Sequence, residues 1–523
     1  MTRCLFVIIV IFLSIRLYFF QNMLYYYLKF TLKGDIAMSQ RNLTLLTDLY
    51  ELTMMQGYFK EKDANEMVIF DAFYRKNPSN GGYAICAGLE QVIEYINNLH
   101  FEPADIDYLR SVGLFDEDFL DYLLHFRFSG DIHAIPEGTV IFPREPLVKV
   151  IAPIMEAQLI ETALLNIINH QSLIATKASR VVYAAGDDGV MEFGLRRAQG
   201  PDAGIYGARA AMIAGCIGTS NVLCGQMFDV PVKGTHAHSW IMSFPDELTA
   251  FRAYARLYPG SCTLLVDTYD TLSSGVPNAI KVFTEMREAG IELKNYGIRL
   301  DSGDLAYLSK KARKMLTEAG FPNAVISASN DLDETLITSL KLQGAAITAW
   351  GVGTHLITSN DCPSFGGVYK LAAIKDRTTG TFTPKIKLSE NAEKITNPGN
   401  KTIRRIYNKE TGKIIADLIC LVDETFDTGK SLLLFDPIET WKKTHLAPGS
   451  YTMRELLVPV FKNGECVYQP PKVMAIREYC QKEKETLWEE SLRLEYPHRV
   501  HVDLSNALWH MKNQLLDSYH YNR

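Results

Sequence analysis

A chain of 523 residues, 47% hydrophobic and 22% charged, is too long for one core of ordinary size, so several domains or one large barrel with additions is expected. A formal net charge of −6 excludes a global electrostatic footprint for nucleic acid, and no nucleic-acid partner is expected. The nine cysteines (Cys4, Cys86, Cys216, Cys224, Cys262, Cys362, Cys420, Cys466 and Cys480) show no CxxC spacing, which reads as reduced thiols in a cytoplasmic protein.

In chain order, Leu5–Ile15 is almost wholly apolar and an aromatic stretch from Leu17 to Phe30 follows. Arg16 interrupts the run short of the ~20 apolar residues that a membrane span needs, and no small-x-small cleavage site follows. Residues 1–37 therefore read as an over-extended start, with a membrane anchor as the alternative, and Met38 opens the globular part. Thr47 is the expected N-cap of a helix with Asp48 in its first turn. Leu49, Leu52 and Phe59 form its apolar stripe, and Tyr50 points away from it. Met67–Tyr74 reads as a buried strand, and Ala104–Phe126 as helices with an aromatic face from Phe115, Phe119 and Tyr122. Residues 138–150 read as an irregular, proline-interrupted β element.

Gln158–Arg180 has the period of a long helix. Beyond it, apolar runs at Val190–Phe193, Met212–Ile217, Cys262–Val266, Tyr296–Leu300, Ala324–Ile326 and Ala346–Trp350 alternate with helical stretches. Those stretches are Ala203–Ala211, Glu247–Tyr258, Val276–Ala289 and Leu305–Ala319. Repeated βα units imply parallel strands, and this many suggest a closed or nearly closed α/β barrel. Polar or glycine-rich clusters recur between the units: FGLRR, GTSN, GTHAH, VDTYD, RLDSGD, SASND and GVGTH. A parallel barrel gathers such positions at one rim, where ligands bind. The chain turns basic from about Tyr369 to Asn408, and the tail from Lys472 has helical patterns rich in Glu and Arg. The expected divisions are 1–37, a mixed α+β N-terminal domain 38–155, the barrel 156–368, a segment 369–470 returning to the N-terminal domain, and a helical C-terminal cap 471–523.

Several clusters carry chemistry. Gly351-Val352-Gly353-Thr354 lets backbone amides approach a phosphate closely, although such glycines also make plain turns. Arg299 with Asp301 and Asp304 suits a bidentate anion contact beside a metal, or else a capped helix start with Ser302 or Asp304 as cap. Asp267 and Asp270 form a second carboxylate pair for a metal–ribose site, or an ordinary cap. His236 and His238, two apart, lack zinc-ligand spacing and suggest proton transfer or capture of a phosphoryl group. Phe193, Arg196 and Arg197 can stack a ring and pair with its carboxylate, or be a core Phe beside surface arginines.

LLTDLYELTM, EFGLRRAQG, GTHAHSW, VDTYDT, RLDSGDL, SASNDLDE, GVGTHL and KLSENAEKITNPG occur together in that order, and the chain so resembles the nicotinate phosphoribosyltransferases from Leu43 through at least Tyr407. The resemblance implies a type II phosphoribosyltransferase fold: an irregular α/β barrel with a mixed N-terminal domain, in a homodimer whose active sites are completed by the neighbouring subunit. It implies synthesis of nicotinate mononucleotide from nicotinate and phosphoribosyl pyrophosphate, with ATP and Mg2+ as cofactors. By the same resemblance His238 is a phosphohistidine, Thr235 and Arg299 contact nicotinate, and Tyr50 and Phe193 stack its ring. Gly353, Thr354 and Lys387 meet phosphoribosyl pyrophosphate, Asp301 and Asp267 hold metal or ribose, and Arg196 contacts a phosphate or carboxylate. Ser220 stands where nicotinamide-using relatives carry Asp, which favours the acid over the amide. The rival readings are a nicotinamide- or quinolinate-using enzyme and a non-catalytic scaffold of the same fold.

Overall fold

A computed structural model describes residues 42–63, 65–391 and 394–521; the expectation for residues 1–37 lies outside them. From Thr44 onward the chain holds together as one unit. Helix α1 (Leu49–Glu61) buries Leu52 and Met55, while Leu49, expected on the stripe, is exposed in the first turn. Thr47 does not cap this helix. Asp48 holds the cap position, and the Thr47 hydroxyl binds the Glu51 carboxylate, which is turned inward beneath it. Strand β1 (Met67–Tyr74) forms as expected, and the rings of Phe119 and Tyr122 close on Phe59. Strands β2 (Asp131–Ala134) and β3 (Val148–Pro153) pair antiparallel, and β3 pairs with β1.

Helix α2 (Glu161–Ala185) starts later than its period suggested, because Ile154–Leu159 forms a separate short helix before it. The βα units follow: β4 (Gly189–Glu192), α3 (Pro201–Ala214), β5 (Gly218–Thr219), α4 (Glu247–Leu257), β6 (Cys262–Leu265), α5 (Val276–Glu288), β7 (Tyr296–Leu300), α6 (Leu305–Glu318), β8 (Val325–Ala328), α7 (Glu334–Leu342) and β9 (Ala349–Val352). Two expectations shift. Met212–Ala214 is the end of α3 rather than a strand, and the last strand lies three residues beyond the start of Ala346–Trp350.

The six strands pair in the order β5-β4-β9-β8-β7-β6, every pair parallel. First strand therefore meets last, and only β5 and β6 remain unpaired with each other. The connection after β5 fills that seam: Val232 makes a parallel bridge to Thr219, and the Leu265 amide donates to His236 Nε2 at 3.3 Å. The expected barrel is thus nearly closed. Trp350, Ile298, Leu264 and Val190 of its strands belong to an apolar core shared with the surrounding helices, where Tyr296 meets Phe283 of α5.

The chain then returns to the N-terminal sheet. Strand β10 (Gly367–Lys375) pairs antiparallel with β1. Strands β11 (Lys401–Asn408) and β12 (Ile414–Leu421) lead a four-stranded sheet, and β13 (Val458–Lys462) pairs with β2. Helix α8 (Val473–Glu485) lies on the barrel, where Arg477 binds the carbonyls of Gly215 and Cys216 and Lys484 that of Ala214. These cations serve carbonyls left open at the end of α3. The tail is not wholly helical: β14 (His501–Leu504) adds to β12 in parallel before the last helix, α9 (Asn506–Tyr521). No helix among the described residues is long and apolar enough to cross a membrane.

Sheet and cap are joined by a buried charge network. Arg405, fully buried, grips Asp417 at 2.9 and 2.6 Å and reaches Glu483 of α8 at 3.3 Å. Removing the cation strands buried Asp417, while Glu483 keeps Arg454, so Arg405→Met is expected to cost roughly 3–5 kcal/mol of stability. Chemical denaturation reads this directly; an unshifted midpoint would show that the pair contributes little.

Candidate functional site

Register determines what reaches the rim. Glu192 pairs with Thr219 and Val352, Leu265 with Arg299, Arg299 with Ser327, and Leu300 with Ala328. The strands therefore end at nearly one level, and Phe193, Ser220, Asp267, Asp301, Ser329 and Gly353 emerge together above them.

Arg299, at the end of β7, organises this rim. Its Nε donates to Ser329 Oγ at 2.8 Å, Nη1 to Thr235 Oγ1 at 3.1 Å, and Nη2 to Asp301 Oδ1 at 2.9 Å. The Ser329 hydroxyl also donates to Asp301 Oδ1. Burial alone would raise the Asp301 carboxyl, but Ser329, Arg299 and His238 together hold it below the usual carboxylate range. The Asp301 amide donates to Asp267 Oδ2 at 2.8 Å and the Ser302 hydroxyl to the same oxygen at 2.7 Å, leaving buried Asp267 Oδ1 without a partner. Asp304 caps α6 and Asp270 caps the turn after β6, so for both of these the capping reading holds.

The histidines divide their work. His238 is half-buried, with Nδ1 3.1 Å from the Thr268 hydroxyl and Nε2 3.7 Å from Asp301 Oδ2. His236 is buried in the seam, where burial pushes its imidazole down to about 4, consistent with Nε2 acting as an acceptor. Its ring lies 4.6 Å from that of Tyr254.

Phe193 packs over β9: a Cβ on Gly351 would meet its ring at 2.7 Å, so only glycine fits there. Buried Glu192 holds the turn that follows, accepting from the Gly194 amide and, at 2.6 Å, from the Thr219 hydroxyl. Its carbonyl accepts from the Ser220 amide at 2.9 Å, which places Ser220 beside Phe193. Thr354 opens the short helix Thr354–Ile357, and Arg196 stands exposed one turn beyond Phe193.

Tyr50 and Lys387 do not join this group. Tyr50 lies against Glu161, Glu51 and Asp48, and burial with those carboxylates raises its phenol. Exposed Lys387 neighbours Lys370, which sits 3.9 Å from Glu161. Among the described residues, no hydrogen bond, ion pair or ring contact ties either side chain to the rim.

With this geometry in view, family models for the nicotinate phosphoribosyltransferase N-terminal domain, family core and C-terminal domain match residues 45–169, 189–411 and 400–512. The chain is 46% identical over 473 residues to the nicotinate phosphoribosyltransferase of Bacillus subtilis, covering 90% of this chain and 95% of the relative. The chain belongs to the nicotinate phosphoribosyltransferase family. A Homo sapiens nicotinate phosphoribosyltransferase is 32% identical over 528 residues, covering 90% of this chain and 96% of its own. The crystal structure of human nicotinic acid phosphoribosyltransferase shares the fold at TM-score 0.77 and 29% identity, over 90% of this chain and 99% of that one. The chain is accordingly an enzyme of the family.

Three rim residues escaped the sequence reading: Ser329, Thr268 and Glu192. Each lies inside a noted motif, but its partner is set by which strands are neighbours. Asn330 and Asp331 beside Ser329 hold left-handed backbone, with φ of 92° and 36°, a conformation rare for non-glycine residues.

The seam makes one pH effect testable. His236 has its proton affinity lowered by folding, from ~6.5 in an unfolded chain, so the unfolded state binds more protons as pH falls. Its contribution is complete above the unfolded value and declines toward pH 4, by roughly 1–2 kcal/mol at pH 5. The acid-side stability slope should flatten in His236→Gln; an identical slope in both proteins would remove His236 as the cause.

Proposed function

We propose that this enzyme joins nicotinate to phosphoribosyl pyrophosphate, giving nicotinate mononucleotide and pyrophosphate. We further propose that ATP drives the reaction by phosphorylating His238. The observation that carries the reading is the Arg299 fork, held between Thr235, Ser329 and Asp301 with Phe193 and Ser220 at the same rim. A guanidinium with a hydroxyl beside it suits a pyridine carboxylate, and Phe193 supplies a ring face. Ser220 offers a neutral hydroxyl where a carboxylate would repel the acid.

The pyridine nitrogen attacks ribose C1 as the bond to pyrophosphate breaks and its electron pair leaves with pyrophosphate. No protein base is needed, because the nitrogen lone pair is already free. Catalysis is then positioning and charge support, with Gly353, Thr354 and Arg196 as the phosphate contacts of this chain. For His238, Nδ1–H donating to Thr268 leaves Nε2 as the nucleophile toward the ATP γ-phosphorus, with ADP leaving. Later hydrolysis of the phosphoenzyme returns the histidine and releases phosphate.

Among the described residues no group of three or more potential ligands gathers as a metal cage. Asp301 with the unpartnered Asp267 Oδ1 suits Mg2+ carried in by pyrophosphate, since Mg2+ typically takes one or two carboxylates plus substrate phosphates. Bound there, it would neutralise charge on the leaving group. Tyr50 and Lys387, standing apart from the rim of their own chain, support a homodimer in which they complete the partner's site. The reaction suits the cytoplasm.

The test assays the protein with phosphoribosyl pyrophosphate and Mg2+, offering nicotinate or nicotinamide, each with and without ATP. Mononucleotide from nicotinate, increased by ATP, is expected. Arg299→Met should raise KM for nicotinate roughly 10–100-fold, the worth of a charged hydrogen-bond pair. His238→Ala should abolish both ATP stimulation and phosphate incorporation from ATP. Turnover of nicotinamide alone would overturn the acid assignment, and absence of product from either ring would sink the reading.

A further inference from the structure

Away from the rim, a cavity of about 50 Å³ lies where β1, β11, β12, β14 and α9 meet, and Asp71, Arg144, Lys401 and Lys512 stand on its wall. None of the rim residues lines it. The four charged groups come from separate parts of the chain. Asp71 is central in β1, Arg144 precedes β3, Lys401 opens β11 and Lys512 belongs to α9. Folding has brought three cations to one small space against a single carboxylate.

Their partners do not balance them. Lys401 Nζ is 2.7 Å from Asp71 Oδ2 and donates to the Gly399 carbonyl at 2.9 Å. Among the described residues Lys512 Nζ has one acceptor, the neutral Asn397 Oδ1, at 2.9 Å. The half-buried Arg144 side chain makes no hydrogen bond or ion pair among the described residues. Its backbone is nevertheless held at φ 76°, a conformation costly for arginine, by its amide donating to the Tyr74 carbonyl at 2.7 Å. Lys149, the register partner of Asp71, adds a further cation behind the wall, bound to Asn400 Oδ1 and the Lys401 carbonyl. Burial, with Arg144 and Lys401 close by, pushes the Lys512 amine down to about 8. Positive charge gathered in a partly dry space without its counter-charge calls for an anion.

One more atom narrows the choice. Asp71 is buried and its Oδ1 has no hydrogen-bond partner among the described residues. A fully deprotonated oxyanion brings only lone pairs to such an oxygen and is repelled. An oxyanion that keeps a hydroxyl can donate to Asp71 while its other oxygens accept from Arg144 and Lys512.

We propose that this cavity binds inorganic hydrogen phosphate and rejects sulfate, with Arg144 and Lys512 holding the anion and Asp71 accepting its proton. The cavity has room for a few water-sized bodies, enough for a small ion and too little for a nucleotide. Bound there, phosphate bridges the N-terminal sheet and the C-terminal helix, bracing the fold at a place that the reaction does not use. The proposal does not depend on the activity proposed above.

Anomalous diffraction locates the ligand. Crystals soaked in arsenate, which carries a proton near neutral pH, should show a peak between Arg144 and Lys512, and crystals soaked in selenate, which carries none, should show no peak there. In solution, Arg144→Gln leaves every observed hydrogen bond intact and should fold normally. Calorimetric titration with phosphate should show its affinity at this site weakened roughly 10–100-fold, as should Lys512→Gln. Turnover without phosphate should be unchanged in Arg144→Gln. No arsenate peak in the cavity, a selenate peak of equal height, or phosphate binding in Arg144→Gln identical to the parent would each overturn the proposal.

Discussion

The planar guanidinium of Arg299 imposes the constraint on which the rim depends. Its donors diverge at fixed angles, and each meets a segment leaving a different part of the sheet: Thr235 after the β5 connection, Asp301 on its own strand, and Ser329 after β8. A lysine has one point charge and cannot span three acceptors in this way. Because Arg299 sits at equal level with Leu265 and Ser327, the fork fixes the height of all three loops as well as their spacing. It also supplies part of the positive charge that keeps Asp301 ionised beside His238.

Charge is buried elsewhere for a different purpose. Arg209 inside α3 is gripped by Glu90 and Glu137, and Arg405 by Asp417 and Glu483. Glu90, Glu137 and Glu483 come from distant parts of the chain, while Asp417 is the neighbour of Arg405 across β11 and β12, so the pairs tie the barrel and cap to the N-terminal and return segments. A pair of this kind adds little net energy over apolar packing, but it permits few alternative arrangements. At the rim, among the described residues, Asp267 Oδ1 has no hydrogen-bond partner and His238 Nε2 stands 3.7 Å from Asp301 Oδ2, which leaves both open to a ligand.

Much of this was legible in the residues themselves. Met67–Tyr74 and Tyr296–Leu300 form strands over the expected spans, and polar clusters at strand ends located Arg299, Asp301, Thr235 and His238 at one rim. The errors share a cause. Met212–Ile217 is a continuous apolar run, and such a run carries no period to separate a buried helix end from a strand. The small residues around Ala345 and Ala346 likewise left the start of β9 unmarked. The partners of the functional groups were not legible, because Ser329 meets Asp301 through adjacency of β7 and β8, and Thr268 meets His238 across the seam. Lateral neighbours in a sheet leave no trace in local spacing.

The seam has a mechanical meaning. Elsewhere the barrel wall is held by ladders of backbone bonds, but between β5 and β6 it is held by the bridge at Val232, the amide–imidazole bond at His236 and the side-chain contacts of Thr235 with Arg299 and of His238 with Thr268. A bond of that kind contributes about 1 kcal/mol net, and it stands where the wall has no continuous ladder. The wall thus has one joint without a continuous ladder, and His238 stands beside it.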